Sequence, residues 1–320
     1  MSMILIHHFL QHGLLNVVSP KTFNTLMPWV LDGVNIFFLI SGWFGIRYEA
    51  RGAFKIIWIL LIFGAINLIA LYIADPTINL FSYLVHLCLW PVSSRYWFMA
   101  VYFFLILCAP IINGGIRSLS DSRFRIMMIF FTLAKVYMCG TIINHTWSSG
   151  YTFMQGFYMY CLGCWLKRDY AWFGKLSRSY YLIIFIAASL INVFLRYAGI
   201  NRELVFSYSS ILQIAGAASL ALWVSKMRFQ SKTINFISAG ALGCYLLQDG
   251  TFGHNYLYSR IHDYAISHSA FDLILLLGVL FVGFWIISLI ISNITDRGFI
   301  RFWNMLSNSK IYKRLLYFRF

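Results

Sequence analysis

Three histidines in the first apolar stretch form the densest group of side chains that could do chemistry. His7, His8 and His12 lie in the segment MILIHHFLQHG. On a helix, His8 and His12 share a face, and His7 is turned by about 100° from His8. A neutral imidazole accepts a proton near neutral pH, as a general base must. The alternative is that these imidazoles only hydrogen-bond to neighbouring helices, and no acidic residue accompanies them as a further metal ligand.

Polar residues in later apolar segments are the other candidates, because polarity inside a bilayer is costly and usually faces a cavity or a partner. They are Asp32, Asn35 and Ser41, then Arg95, Tyr96 and Trp97, then Lys135, and finally Gln248 and Asp249. Structural alternatives exist here too. Glycines on both sides of Ser41 permit close helix packing, and Arg95 beside two aromatic residues fits a snorkelling cation in an interfacial belt.

The composition indicates that these residues belong to a membrane protein. Hydrophobic residues make up 60% of the 320, and charged residues only 11%, whereas a soluble chain has about 25% charged residues. The six cysteines lie in or beside apolar stretches, which argues against a secreted disulfide framework. We therefore expect an all-α, polytopic membrane helix bundle.

Ten segments are apolar and long enough, or nearly so, to cross a bilayer, which takes about 20 residues. They are residues 1–18, 28–46, 54–74, 96–113, 124–143, 150–166, 180–197, 205–225, 233–250 and 271–292. The shorter stretch 78–91 ends in proline, and we expect it to be interfacial or re-entrant. Segment 233–250 is weakly apolar and is counted mainly because the alternating topology needs it.

The distribution of Lys and Arg predicts the orientation of these segments. With the N-terminus in the cytoplasm, the inner connections and the C-terminal tail carry nineteen of the 25 Lys and Arg, and the outer connections carry five. We therefore expect both termini to be cytoplasmic. The same bias explains the net charge of +15 without a nucleic-acid partner. Residues 296–320 are expected to form a basic amphipathic tail on the lipids of the inner leaflet.

This topology places several polar residues at one depth. His8, Asn35, Arg95 and Asp249 would all lie in the outer half of the membrane or at its outer surface. We therefore expect a polar pocket that opens outward.

Four segments carry a family resemblance. They are GVNIFFLISGWFGI, YWFMAVYFFLILCAPIIN, FYMYCLGCWLKR and ALGCYLLQD. In this order they resemble motifs of acyltransferase family 3, integral-membrane enzymes that O-acylate bacterial envelope carbohydrates. The resemblance covers nearly the whole chain, so residues 1–295 would form a membrane acyltransferase domain of ten spans.

The resemblance implies an activity and a set of roles. An acyl group, most often acetyl, would pass from cytoplasmic acyl-CoA to a hydroxyl of a cell-surface or exported carbohydrate, either a polysaccharide or a lipid-linked sugar. The enzyme would be in the bacterial inner (plasma) membrane. His8 would be the general base or carry the acyl group, and Asn35 would orient His8 or polarise the thioester. The residues expected to bind substrate are Arg95, Tyr96, Trp97, Ser41, Gln248 and Asp249. No metal and no tightly bound cofactor is implied.

Two points leave alternatives open. The family has a first-helix Arg eleven residues before its catalytic His, and that position would precede Met1. Either the true start lies upstream, as the shortness of segment 1–18 favours, or this copy is degenerate. The rival functions are a transporter or flippase of polysaccharide intermediates, a sugar polymerase, and a structural member of an envelope complex. The two halves of the chain show no repeat of the kind that transporters often have.

Overall fold

The fold is built from helices. The computed structural model describes residues 1–89, 96–140, 150–227 and 230–309, and in these ranges it contains no strand. The α-helices are α1 Ser2–His8, α2 Pro20–Leu26, α3 Gly33–Phe44, α4 Ala50–Ala74, α5 Leu80–Cys88, α6 Trp97–Ser118, α7 Asp121–Gly140, α8 Phe153–Arg168, α9 Tyr170–Phe173, α10 Arg178–Tyr197, α11 Arg202–Val205, α12 Ile211–Ser225, α13 Lys232–Ser238, α14 Ala241–Gln248, α15 Tyr258–Ser267 and α16 Ala270–Asn308. Phe9–Gly13 and Gly253–Leu257 are π-helical. The expected all-α class is confirmed.

Five helical runs in the described ranges are long and apolar enough to cross a membrane. They are Pro20–Phe44, Ala50–Ala74, Trp97–Ser118, Arg178–Tyr197 and Ala270–Asn308, and Ile211–Ser225 is a shorter apolar helix. The first expected span consists of α1 and a π-helical turn, and segment 233–250 consists of two short helices. The count of ten spans and the cytoplasmic placement of both termini stay predictions.

Helices α3 and α8 approach each other closely because each has a glycine at their contact. A Cβ on Gly42 would lie 1.9 Å from the carbonyl oxygen of Tyr160, and a Cβ on Gly163 would lie 2.0 Å from that of Leu39. The Cys164 thiol donates to the Gly42 carbonyl at 3.3 Å. The packing role anticipated for Gly42 is therefore what the structure shows, and it positions the polar residues of both helices.

Helix α16 continues past residue 295 and packs along α4. The Trp58 indole donates to the carbonyl of Thr295 at 3.2 Å, and Lys55 pairs with Asp296 at 2.9 Å. The ring of Phe302 stacks on Trp58 with a centroid separation of 5.1 Å. The expected division between 295 and 296 thus falls inside one helix, and residues 310–320 of the expected tail lie outside the described residues.

Candidate active site

A polar cavity of about 380 Å³ lies at the end of the bundle that the topology predicts to face outward. It is lined by His7, His8, Gln11, His12, Tyr96, Trp97, Tyr151, Tyr208, Asp249 and His254. Helix α1 and the π-helical turn after it supply four of these side chains, and the rest come from segments far along the chain. The volume is within the range of small-molecule sites.

The centre of the cavity wall is a buried carboxylate between two imidazoles. Nδ1 of His8 lies 3.8 Å from Oδ1 of Asp249, and Nε2 of His254 lies 2.9 Å from the same oxygen. His8 and Asp249 are both buried, whereas His254 is about one-third exposed. A carboxylate beside an imidazole orients the ring and stabilises the imidazolium that forms when the ring takes a proton.

Two π-helical turns bring the remaining histidines to this centre. His12 lies in the turn Phe9–Gly13 and His254 in the turn Gly253–Leu257. Their ring centroids are 4.5 Å apart in an edge-on arrangement, and those of His8 and His12 are 5.3 Å apart. Gly253 permits the second turn, because a Cβ there would lie 2.0 Å from the Gln248 carbonyl oxygen. Single π-helical turns inside α-helices are frequent at functional sites.

Aromatic rings form the opposite wall. Trp97 lies 4.9 Å from Tyr151 and 5.9 Å from Tyr208, centroid to centroid, and the two tyrosine rings are 5.2 Å apart. Tyr96 is buried and has a left-handed backbone with φ of 45°, a conformation that costs a non-glycine residue about 1 kcal/mol. Tyr96 and Trp97, both anticipated from the sequence, therefore do face the cavity.

Asn35 lies behind this wall. Its amide donates to the carbonyl of Tyr208 at 2.9 Å, and the amide of Gln155 donates to Asn35 Oδ1 at 2.9 Å and to the Tyr208 carbonyl at 2.8 Å. Ser209 Oγ donates to Gln155 Oε1 at 3.1 Å and receives a hydrogen bond from Lys135 Nζ at 2.9 Å. Asn35 thus fixes the backbone that presents Tyr208, and Lys135, the one basic residue in a predicted mid-span, is bonded to Ser209.

The remaining expected site residues have different positions. Ser41 donates to the Phe37 carbonyl of its own helix at 2.9 Å, toward the inner end of α3. Gln248 is fully buried next to Asp249, and its amide atoms form no hydrogen bond within the described ranges. Arg95 lies outside the described residues. The sequence analysis did not single out Gln11, Tyr151, Tyr208 or His254, although a histidine five residues after Asp249 was a usable signal.

A second cavity, of about 530 Å³, lies at the other end of α3. Its lining includes the cations Arg47, Arg117, Lys167 and Arg168 and the apolar side chains of Trp43, Phe44, Ile46 and Ile116. The Tyr160 hydroxyl donates to Asn113 at 2.7 Å and accepts from the Ile46 amide at 3.0 Å, which orders the floor. Asn35, behind the wall of the outer cavity, and Gly45, in the lining of the inner one, are ten residues apart, which is about 15 Å along a helix.

Within the described ranges, no group of three or more His, Cys, Asp or Glu side chains is placed to hold a metal ion.

Apolar helices of membrane-spanning length around a histidine-lined cavity define an integral membrane protein with an internal polar site. The family model described as an acyltransferase domain, Acyl_transf_3, matches residues 1–295. The chain therefore belongs to acyltransferase family 3, as its motifs indicated, and is a membrane acyltransferase in general terms. A search of curated proteins finds no match, and a search of solved structures finds none either.

Proposed function

We propose that this protein transfers an acyl group, in the first place acetyl, from acyl-CoA to a hydroxyl of a bacterial envelope carbohydrate. The observation that carries the proposal is His8, buried in a cavity of suitable size with its Nδ1 facing Asp249 at 3.8 Å. We place the enzyme in the inner (plasma) membrane, with the donor on the cytoplasmic side and the acceptor in the outer cavity.

His8 is the general base of this mechanism. A sugar hydroxyl is a poor nucleophile, and His8 takes its proton while the oxygen attacks the thioester carbonyl carbon. The C–O bond forms, the C–S bond breaks, and CoA leaves as the thiolate, which is then protonated. Asp249, 3.8 Å from Nδ1 of His8, stabilises the protonated imidazole by its charge. A relay through acyl-His8 would place the same imidazole as nucleophile.

The aromatic wall suits the acceptor. Trp97, Tyr151 and Tyr208 offer ring faces and hydroxyls within about 6 Å of one another, which matches the apolar faces and hydroxyl edges of a sugar ring. Asn35 acts through Tyr208, so we assign it a positioning role. Tyr96 and Gln248 lie beside the same site.

The basic cavity at the inner end of α3 suits the donor. Arg47, Arg117 and Lys167 are exposed, and they form no ion pair with a carboxylate of the described ranges. They are placed to attract the phosphates of acyl-CoA, and Trp43 offers a ring face for adenine. The excess of inner-side Lys and Arg also follows from membrane topology, so charge alone does not carry this assignment.

The test is the alkali-labile O-acyl content of the surface polysaccharide in a deletion strain of the source bacterium. The strain is complemented with the wild type, His8→Ala, Asp249→Asn or, as a matched control at an exposed outer position, Arg260→Gln. We expect His8→Ala to abolish O-acylation, Asp249→Asn to lower it by about 100-fold or more, and the control to restore it. Each variant is also made in a chain extended by the codons upstream of Met1.

Two results would count against the proposal. Full O-acylation by a well-expressed His8→Ala variant would remove the base assignment. Accumulation of polysaccharide precursor on the inner side of the membrane in the deletion strain, with no loss of ester, would favour the transporter hypothesis instead.

A further inference from the structure

An arginine lies at the rim of the outer cavity, one contact from its lining. Arg202 begins the short helix α11 and is half-buried. Its Nη2 donates to Oε1 of Gln11 at 2.6 Å, and Gln11 lines the cavity. Gln11 is three residues beyond His8, in the π-helical turn Phe9–Gly13.

This arginine has neutral neighbours and a second cation. Within the described ranges Arg202 forms no ion pair with a carboxylate, and its guanidinium lies over the ring of Phe23 at 4.7 Å. Arg196, close by, donates to Asn24 at 3.4 Å and to the Ile200 carbonyl, which are also uncharged. Burial, and next the charge of Arg196, lower the pKa of Arg202, although an arginine stays protonated at neutral pH.

Two arginines at the predicted inner side have carboxylate partners. Arg125 pairs with Asp169 at 2.9 Å and Arg168 with Asp121 at 2.5 Å. Arg202 at the cavity rim has no such partner within the described ranges, and neither have Arg47 and Arg117 in the basic inner cavity. Arg202 differs from those two because it is half-buried, whereas they are exposed. A half-buried cation without a counter-ion is an anion-binding group.

The unused hydrogen-bonding groups at the rim are donors. The carbonyl oxygen of Gln11 is occupied by Arg202, so its amide N–H groups remain, and in the described ranges they form no hydrogen bond with the protein. Four of the five guanidinium N–H groups of Arg202 likewise form no hydrogen bond with the protein within the described ranges. A ligand that satisfies this set must be an acceptor, and a planar guanidinium matches the two oxygens of a carboxylate or phosphate.

We propose that the acceptor carries an oxyanion, a carboxylate or a phosphate, which Arg202 and Gln11 bind while the reacting hydroxyl meets His8. Because Gln11 and His8 line the same cavity, the charge and the hydroxyl must be on the same sugar or on adjacent ones. The acceptor class is therefore an acidic glycan. This inference rests on the proposed function for the reaction, but its binding part can be measured alone.

The test uses the de-O-acylated envelope polysaccharide of the source bacterium and the purified protein in nanodiscs of neutral lipid. The polysaccharide is compared with itself after reduction of its carboxyl groups and after removal of its phosphate. Binding is measured on immobilised nanodiscs, and transfer from labelled acetyl-CoA is measured in parallel. The variants are Arg202→Gln, Arg202→Lys and the exposed outer control Arg260→Gln.

We expect the wild type to bind the charged polysaccharide at least about tenfold more tightly than the neutralised one, which is the value of one charge-assisted contact. Arg202→Gln should abolish this preference, Arg202→Lys should keep part of it because the charge remains without the planar fork, and Arg260→Gln should match the wild type. In transfer, Arg202→Gln should raise KM for the acceptor more than it lowers kcat.

Several results would overturn the inference. One is a native polysaccharide that contains neither carboxylate nor phosphate, and another is equal binding of the charged and neutralised polysaccharide by the wild type. A third is an effect of Arg202→Gln on binding that arises only when anionic lipid is added, which would assign the anion to a lipid headgroup. Transfer without charge preference would leave the proposed function standing. Charge preference that depends on Arg202, without transfer, would leave the anion site standing and remove the proposed function.

Discussion

The glycine contact between α3 and α8 gives a sharp prediction, because it links helix packing to the cavity wall. In Gly42→Ala the new methyl carbon would start 1.9 Å from the carbonyl oxygen of Tyr160. A normal carbon–oxygen contact is about 3.3 Å, so the helices must separate by about 1.4 Å. The obstructing atom belongs to the backbone of a helix and cannot rotate away.

The expected magnitude follows from two opposing effects. Overpacking a tight contact costs about 1–3 kcal/mol, and a backbone clash belongs at the upper end of that range. Alanine regains about 1 kcal/mol of helix propensity over glycine. We expect a net loss of about 1–2 kcal/mol, or a Tm lower by about 1–3 °C in a protein of this length. The separation also stretches the 2.9 Å hydrogen bond from Gln155 to Asn35, so the backbone of Tyr208 loses its support.

The assay is the thermal unfolding of purified protein in detergent, together with O-acyl content in complemented cells. Gly52→Ala and Gly114→Ala are matched controls, because both glycines are helical and a Cβ at either position would have no atom within 4 Å. We expect the controls to be neutral or slightly stabilised and fully active. A Gly42→Ala variant as stable and as active as these controls would refute the packing argument.

Two further predictions concern the inner end of the bundle. Tyr160→Phe removes a hydroxyl that donates a hydrogen bond to Asn113 at 2.7 Å and accepts one from the Ile46 amide at 3.0 Å. We expect about 1–3 kcal/mol of destabilisation and a higher KM for acyl-CoA at unchanged kcat. An unchanged KM would mean that this part of the inner cavity does not contribute to donor binding. Hydrogen bonds from Arg125 lower the pKa of Asp169 in the folded protein. They therefore stabilise the folded state at any pH above the pKa of Asp in the unfolded chain, about 3.9. This stabilisation is lost as the pH falls through the pKa of Asp169 in the folded protein. Asp169→Asn should therefore lower Tm at pH 7, but only by a small amount, since Arg125 is half-exposed. The difference in Tm from the wild type should vanish in melting curves recorded well below pH 4. A difference in Tm that persists there would contradict the electrostatic explanation.

Several features of this protein follow from local sequence. The apolar segments predict the helices because backbone groups in a bilayer must be satisfied within the segment itself, and most predicted segments contain a helix of the structure. The sequence predicts one outward pocket for His8, Asn35, Arg95 and Asp249. His8 and Asp249 line one cavity, Asn35 lies behind its wall, and Arg95 lies outside the described residues. Polarity at membrane depth was thus a usable signal for part of the site.

Other features were decided only by the tertiary structure. The rotation of each helix about its axis depends on contacts with distant segments, such as Gly42 against Tyr160, and hydropathy does not encode it. This rotation turns Asn35 toward Gln155, behind the cavity wall. The π-helical turn after Asp249 brings His254 back onto that carboxylate. Which polar side chains meet is therefore a property of packing, whereas which segments enter the membrane is a property of the sequence alone.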